Sequence, residues 1–193
     1  SENISACNCV VRNAHGGFVV GSETASGVKC AYVKNCRFLG TDRGIRIKTR
    51  RCRGGHMTDI VASNIYMKDV ICPISINMFY RCGSDDPSLF SLKPFPVTED
   101  TPVIKNVLIE NVHAQECRNS AGFIAGLPES ELQNVVFRDC SFELTDMIEE
   151  NTEPEMCQGI PESSYRGIRV INADATFENV KVNVEPAVMF ERF

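Results

Sequence analysis

The sequence contains no tryptophan, and only 8% of its 193 residues are aromatic. The hydrophobic core of a domain of this length must therefore consist mainly of aliphatic side chains. Valine, isoleucine, phenylalanine and cysteine dominate the apolar segments, and this composition favours strands over helices. No apolar run approaches the length that spans a bilayer, so the sequence predicts no transmembrane segment and no membrane partner.

Spacings typical of metal ligands are also missing. The ten cysteines include no C-x-x-C pair, and the three histidines show no H-x-x-x-H spacing, which argues against a zinc ribbon. We predict neither a metal nor a cofactor. Unpaired thiols favour a cytoplasmic location for the protein. Secretion is the alternative location. Six cysteines lie mostly in apolar strand-like segments and are expected to be buried and unpaired: Cys30, Cys36, Cys52, Cys72, Cys117 and Cys140.

Charge is unevenly distributed along the chain. The formal net charge of −5 argues against general nucleic-acid binding. No aromatic residues interleave with the basic cluster in the first third of the chain, so nucleic acid is not a predicted partner. That cluster is either a solvated basic face or a local site for an anion. Its six members fall within eleven positions: Arg43, Arg46, Lys48, Arg50, Arg51 and Arg53.

Two kinds of segment recur. The first contains alternating apolar and polar residues and closes on Asn or Asp, as from Asn106 to Asn111. The second begins with Gly or Pro and alternates strictly, as after Gly17, Gly44 and Pro73. Gly17 and Gly44 are 27 residues apart, and Gly44 and Pro73 are 29 residues apart. The spacing indicates a repeating structural unit with two strands in each period.

This repeat predicts the fold. Units of the βαβ type need a crossover helix, and no helical pattern separates the two strand types. We therefore predict an all-β right-handed parallel β-helix, a solenoid of roughly five or more coils, with asparagine ladders at matching turns. An antiparallel sandwich is the alternative, but Asn-Gly and Asp-Gly hairpin signals are absent.

We assign residues 1–193 to a single domain. Two stretches interrupt the period, at about residues 83–102 and 145–163, and are predicted as long loops of the kind that often border a cleft. The chain opens at Ser1, inside a repeat. We therefore expect a solenoid truncated at its N-terminal end, either a fragment or a product of processing.

One face of the second strand type collects polar side chains. Ile45 and Ile47 should point inward, and Arg46 and Lys48 outward. Arginine can bind a carboxylate through two hydrogen bonds and lysine adds a mobile charge, so this face suits a polyanionic sugar chain. Its predicted members are His15, Arg46, Lys48, Ser75 and Asn77. Two further residues end strands on this face and are predicted at its rim: Glu23 and Tyr80.

The motifs of this face resemble those of a known family. Ala14-His15-Gly16, Gly21-Ser22 and Arg46-Ile47-Lys48 resemble the Gly-His-Gly and Arg-Ile-Lys signatures of glycoside hydrolase family 28, the polygalacturonases. The later stretches 73–80 and 126–129 are similar to bacterial members. The resemblance implies that the parent protein hydrolyses pectic polysaccharide or oligogalacturonide with inversion.

The resemblance also implies roles for individual residues. His15 matches the histidine that organises the catalytic carboxylates, whereas Arg46 and Lys48 match the pair that binds the galacturonate carboxylate. We expect substrate binding from Asn77 as well, and from the rim residues named above. The family's catalytic aspartates lie in Asn-x-Asp and Asp-Asp motifs upstream of the histidine, and neither motif occurs there in this sequence.

Two functions therefore remain open. The chain either supplies the active-site histidine and the carboxylate-binding pair of a pectin-degrading hydrolase, being inactive alone, or is a non-catalytic carbohydrate-binding or structural β-helix. Its Asp-Asp pair, Asp85-Asp86, lies in a proline-rich stretch and is expected to be solvated.

A solenoid coil is stable only where neighbouring coils cover it. The segment from Ile4 to Val11 would form an open parallel edge, and it contains neither Pro nor Lys to block association. We predict that residues 1–193 associate with a chain that carries earlier coils or self-associate through this edge. Light scattering on the purified chain should give a mass above that of a monomer, and a monodisperse monomer would contradict the prediction.

Overall fold

The computed structural model describes residues 1–146 and 156–193. In this part of the chain regular structure is almost entirely extended, apart from one 3₁₀ helix at Pro87–Phe90. No helix in it has the length and hydrophobicity needed to cross a bilayer. The strands, in chain order, are β1 (Glu2–Cys7), β2 (Val10–Arg12), β3 (Gly16–Val20), β4 (Val28–Leu39), β5 (Arg43–Lys48), β6 (His56–Val70), β7 (Cys72–Asn77), β8 (Val103–Cys117), β9 (Gly122–Ala125), β10 (Leu132–Leu144), β11 (Ile168–Ile171), β12 (Ala173–Val182) and β13 (Val188–Glu191).

The strands form two parallel sheets. The long-strand sheet stacks β1 and β2, then β4, β6, β8, β10 and β12, while the short-strand sheet stacks β3, β5, β7, β9, β11 and β13. Neighbours in each sheet belong to successive circuits of the chain and run parallel. The predicted right-handed parallel β-helix is therefore confirmed.

The predicted register of the short strands is also confirmed. Ile45 pairs with Phe18 on one side and with Ile74 on the other, so Gly17, Gly44 and Pro73 lie at vertically adjacent positions, each the second residue of its strand. A side chain at Gly44 would overlap Met67, which explains why glycine occupies this position of β5. The later copy at Gly122 is shifted by one residue, because Gly122 itself pairs with Ile74.

Each long strand bends where single residues adopt a left-handed backbone conformation. In β6 these residues are five positions apart, with φ values of 59° at Asp59, 55° at Asn64 and 57° at Asp69. Strict alternation after Ala62 would turn Asn64 inward, yet Asn64 is exposed and Ile65 is buried. The left-handed residue thus resets which side chains face the core, and Asn and Asp tolerate this conformation best among non-glycine residues.

Asparagines at equivalent bends form the predicted ladder. The Asn64 amide nitrogen donates to Asn35 Oδ1 at 3.1 Å, and the Asn111 amide nitrogen donates to Asn64 Oδ1 at 2.7 Å. A second ladder joins Asp59, Asn106 and Asn134 through bonds of 2.9 and 3.0 Å. These bonds connect consecutive coils and hold their corners in register.

The core is a stack of aliphatic side chains between the two sheets. Ile47, Ile76, Ile124 and Val170 occupy one inward column of the short-strand sheet and are all buried. Opposite them, the long strands contribute inward residues such as Ile109.

All ten cysteines lie in the described residues and are free. Cys36, Cys72, Cys117 and Cys140 are buried as predicted, and burial raises the pKa of Cys140 to about 11. The prediction was wrong for Cys52, which is exposed because it lies in the loop after β5. Cys30 is only half-buried, at a left-handed bend.

The stretch 83–102 joins β7 to β8 and is a loop apart from its 3₁₀ helix, as predicted. Residues 147–155 of the second predicted loop lie outside the described residues. At one end of the stack, β1, β2 and β3 each pair with one neighbour among the described strands, and Ile4, Val10 and Val19 are exposed there.

The asparagine ladder predicts that two substitutions of Asn64 lower the free energy of unfolding by different amounts. Asn64→Ala should lower the free energy of unfolding by about 1–3 kcal/mol, because it removes two side-chain hydrogen bonds and leaves a β-carbon in a left-handed conformation. Asn64→Gly removes the same hydrogen bonds without that conformational cost and should destabilise less. Urea unfolding of both variants measures the difference. Equal losses would show that left-handed strain contributes nothing at this bend.

Candidate functional site

The outer face of the short-strand sheet carries the residues predicted to bind substrate. In β5, Ile45 and Ile47 face the core, so Arg46 and Lys48 project to the opposite side. Arg46 lies between Val19 of β3 and Ser75 of β7, and Lys48 pairs with Asn77. The stacking of three coils therefore brings together residues that are far apart in sequence.

His15 is held between a carboxylate and a guanidinium group. Its Nδ1 lies 2.7 Å from Asp42 Oδ2, and its Nε2 lies 2.8 Å from Arg46 Nη1. Arginine can only donate, so Nε2 must accept, and Nδ1 must then carry the proton and donate to Asp42. The side chain of His15 is 59% exposed, which leaves the ring open to a ligand from the solvent side.

Arg46 projects outward, as predicted, but is not exposed to solvent. Its relative exposure is 0%. The His15 ring contacts its guanidinium group, and the Tyr80 ring lies 5.4 Å from the Arg46 Cζ atom. The charge is thus removed from water yet lies outside the apolar core, where its electrostatic interactions are stronger than at a solvated surface.

Lys48 and Tyr80 form the next part of the face. The Lys48 ammonium lies 4.4 Å from the centre of the Tyr80 ring and donates to the Tyr80 hydroxyl at 3.3 Å. Lys48 is half-buried, and Tyr80 is buried except for a small part of its surface. Tyr80 therefore lies against both cations of the face.

Asn77 lies beneath the face and has no exposed surface. Its Oδ1 accepts a hydrogen bond of 2.7 Å from the Phe79 backbone N–H, which shapes the turn that leads to Tyr80. Its Nδ2 is buried and has no hydrogen-bond partner in the described part of the chain. The structure therefore gives Asn77 a role in supporting Tyr80.

The predicted basic patch is not a solvated surface. Arg43, Arg46 and Arg51 are all buried. Arg50 donates to the Gly83 carbonyl at 2.7 Å, and Arg53 donates to the Cys82 carbonyl at 3.1 Å. These side chains fix loops by binding their carbonyl groups.

Arg51 anchors the long loop that follows β7. It donates to both carboxylate oxygens of Glu129, at 2.5 and 2.8 Å, and also to the carbonyls of Leu89 and Ser91. Burial raises the pKa of Glu129, but the hydrogen bonds and charge of Arg51, together with hydrogen bonds from backbone groups, outweigh burial and hold that pKa below its ordinary value. Glu129 thus stays ionised and ties the loop to the 126–129 turn.

Glu23 was predicted to end a strand but lies in the loop after β3, and its carboxylate contacts Arg53 Nη1 at 2.5 Å. Parallel strands all end at the same edge of a sheet, so the loops after β3, β5 and β7 are neighbours. The rim beside Lys48 therefore consists of Glu23, Arg50, Arg53 and the Cys82–Gly83 segment.

Asp42 was not among the predicted site residues. It follows His15 by 27 residues, the same interval that separates Gly17 from Gly44. The Asp42 N–H also donates to the Ala14 carbonyl at 2.9 Å, directly between these coils. The coil period was the signal that could have identified Asp42 as the residue stacked on His15.

Comparison with known proteins identifies relatives of this arrangement. A family model described as glycosyl hydrolases family 28 matches residues 1–143. A stretch of 117 residues is 32% identical to polygalacturonase-2 of Solanum lycopersicum, covering 58% of this chain and 23% of that protein. Another of 113 residues is 33% identical to an endo-polygalacturonase of Pectobacterium parmentieri, covering 58% and 27%. The chain thus spans about a quarter of the length of the curated relatives it matches.

A solved structure has the same fold. The crystal structure of a hyperthermoactive exopolygalacturonase from Thermotoga maritima matches with a TM-score of 0.57 and 24% sequence identity, over 90% of this chain and 34% of that one.

The two contacts of His15 predict its tautomer. At neutral pH we expect the proton on Nδ1, which long-range ¹H–¹⁵N correlation spectra detect directly, with the signals assigned through His15→Gln. His113 is an internal reference of opposite tautomer, because its Nε2 lies 2.8 Å from Asn111 Oδ1 and its Nδ1 lies 2.8 Å from Ser141 Oγ. A His15 ring protonated on Nε2 alone would contradict the Arg46 contact.

Proposed function

Because this chain belongs to glycosyl hydrolase family 28, we propose that the outer face of its short-strand sheet binds galacturonate units of pectic polysaccharide in a polygalacturonase-type hydrolase. Lys48 would receive the galacturonate carboxylate together with Arg46. Arg46 has no exposed surface and would be reached when the His15 or Tyr80 side chain that covers it shifts. His15 is the residue that would adjoin the reacting sugar.

The observation that carries this proposal is the continuous contact from Asp42 through His15 to Arg46, with Lys48 and Tyr80 beside it. A guanidinium group that is already immobilised loses little further conformational entropy when it binds an anion. Its charge is also weakly screened by salt because it is buried. Lys48 adds a second positive charge. A neutral sugar could accept hydrogen bonds from these cations through its hydroxyl groups but would lack the charge attraction, so this face should select uronates.

Asp42 has a positioning role in this proposal. Inverting hydrolysis needs one carboxylic acid to protonate the leaving oxygen and a second carboxylate about 6.5–9.5 Å away to activate water. The Asp42 carboxylate accepts a hydrogen bond from His15 Nδ1–H and so orients the ring. Upstream of His15 the sequence contains one acidic residue, Glu2. We propose that residues 1–193 bind substrate but do not cleave it.

The second candidate function is a carbohydrate-binding module without catalysis in its parent protein. Residues 1–193 carry neither an Asn-x-Asp nor an Asp-Asp motif upstream of His15, so the chain taken by itself fits such a module. Reducing-end release from polygalacturonate, measured with the parent protein, separates the two. Hydrolysis there supports the enzyme and its absence supports the module, whereas hydrolysis by residues 1–193 alone would contradict the proposed role of Asp42.

Binding to a galacturonate trimer tests the carboxylate site. Lys48→Met or Arg46→Gln should weaken trigalacturonate binding by about 1.5–3 kcal/mol, or about ten- to a hundredfold, because a charge-assisted hydrogen bond is lost. Neutral galactotriose should be affected much less. Isothermal titration calorimetry on residues 1–193 measures both ligands.

A matched control is available on the other sheet. Lys34 lies over the Tyr32 ring at 5.5 Å, much as Lys48 lies over Tyr80. Lys34→Met should leave trigalacturonate binding unchanged. Equal losses for acidic and neutral trimers in the Lys48 variant would mean that Lys48 supports structure and does not recognise the carboxylate.

A further inference from the structure

We infer that Arg53, together with Arg50, forms a second carboxylate subsite at the rim, and that Glu23 occupies it while no substrate is bound. The inference rests on the proposed function, because it concerns a second uronate unit of the same ligand. With this subsite, the rim would bind galacturonate units that carry a free carboxylate in preference to esterified or neutral units.

Arg53 has unused hydrogen-bonding capacity. Its side chain is only 8% exposed, and its Nη2 donates to the Cys82 carbonyl. Its Nε atom is buried and has no hydrogen-bond partner in the described residues, and its buried Nη1 atom contacts the Glu23 carboxylate. A buried guanidinium group with unsatisfied donors gains more from an incoming carboxylate than a solvated one does.

Arg50 adds to the same site. Its Nη2 donates to the Gly83 carbonyl and its Nη1 donates to the Arg51 carbonyl, whereas its Nε is buried without a hydrogen-bond partner among the described residues. Arg50 and Arg53 thus hold the adjacent carbonyls of Gly83 and Cys82, three and two residues beyond Tyr80. Two guanidinium groups are fixed on the rim next to the Lys48–Tyr80 pair.

Glu23 has the properties of a displaceable occupant. Its side chain is 86% exposed, although it contacts a guanidinium group that is almost wholly buried. The contact at 2.5 Å does not have hydrogen-bond geometry at Arg53 Nη1. An exposed acidic side chain is weakly held by an ion pair, so a substrate carboxylate can replace it with little loss.

Selectivity follows from this exchange. A uronate polymer carries a carboxylate on every unit, so a chain whose first carboxylate binds Arg46 and Lys48 presents another to a neighbouring subsite. An esterified or neutral unit cannot replace the charge of Glu23 on Arg53. The rim should therefore favour de-esterified galacturonan over its methyl ester, beyond the selectivity of the first subsite.

Titration of residues 1–193 with trigalacturonate and with its methyl ester tests the inference. Glu23→Gln removes the competing carboxylate and should tighten trigalacturonate binding about two- to fivefold, the range expected for an exposed ion pair, and leave the methyl ester unchanged. Arg53→Gln should weaken trigalacturonate binding and abolish the gain from Glu23→Gln in the double variant. Glu178→Gln, which breaks the exposed Arg138–Glu178 pair on the long-strand sheet, is the matched control and should change neither ligand.

A second measurement does not depend on the stability of any arginine variant. In the unmodified chain, added galacturonate should shift the NMR signal of the Arg53 Nε–H group, and galactose should not. An unchanged affinity in Glu23→Gln with no shift of Arg53 overturns the inference, and the proposed function survives if Lys48→Met still weakens binding. A shift of Arg53 with no effect of Lys48→Met supports the rim subsite and rejects the proposed first subsite.

Discussion

The left-handed residues at the corners of the coils are the constraint on which the rest of this structure depends. They occur at five-residue intervals in the long strands, as at Asp59, Asn64 and Asp69. Each one resets the alternation of inward and outward side chains, so that a chain segment of a dozen or more residues can turn its apolar side chains continuously towards one core. Their amide side chains then bond to the equivalent residues of neighbouring coils.

Because the coils stack in register, residues that are one coil period apart in the sequence lie next to each other in space. His15 and Asp42 are one coil apart, and their side chains meet at 2.7 Å because the coils are held in register. Arg46 lies in the same coil as Asp42 and reaches His15 from below. A shift of one residue in the pairing of β3 with β5 would turn Arg46 into the core and bury an unpaired charge, at a cost of several kcal/mol.

The basic segment after β5 has two kinds of function in the fold. Arg51, bound to Glu129 and to loop carbonyls, is structural, since its donors are used by protein groups. Arg50 and Arg53 also hold a loop but retain donors without partners in the described residues. Arginine suits both purposes because its five donors can bind carbonyl groups on one side and an anion on another.

The sequence by itself determined the β-helix, since the interval between Gly17 and Gly44 and the alternation around Ile45 and Ile47 are local properties that any coil must satisfy. It also indicated the outward direction of Arg46 and Lys48, because side-chain direction in a strand follows from position alone. Only the tertiary structure decided that Arg46 is covered by His15 and Tyr80, that Asn77 supports a turn, and that Asp42 orients His15. Burial and pairing depend on what the neighbouring coils and loops bring over a strand. The neighbours that cover Arg46 and orient His15 lie 27 or more residues away in the sequence, and the local bond from Asn77 to Phe79 matters only because the coils around it bury Asn77.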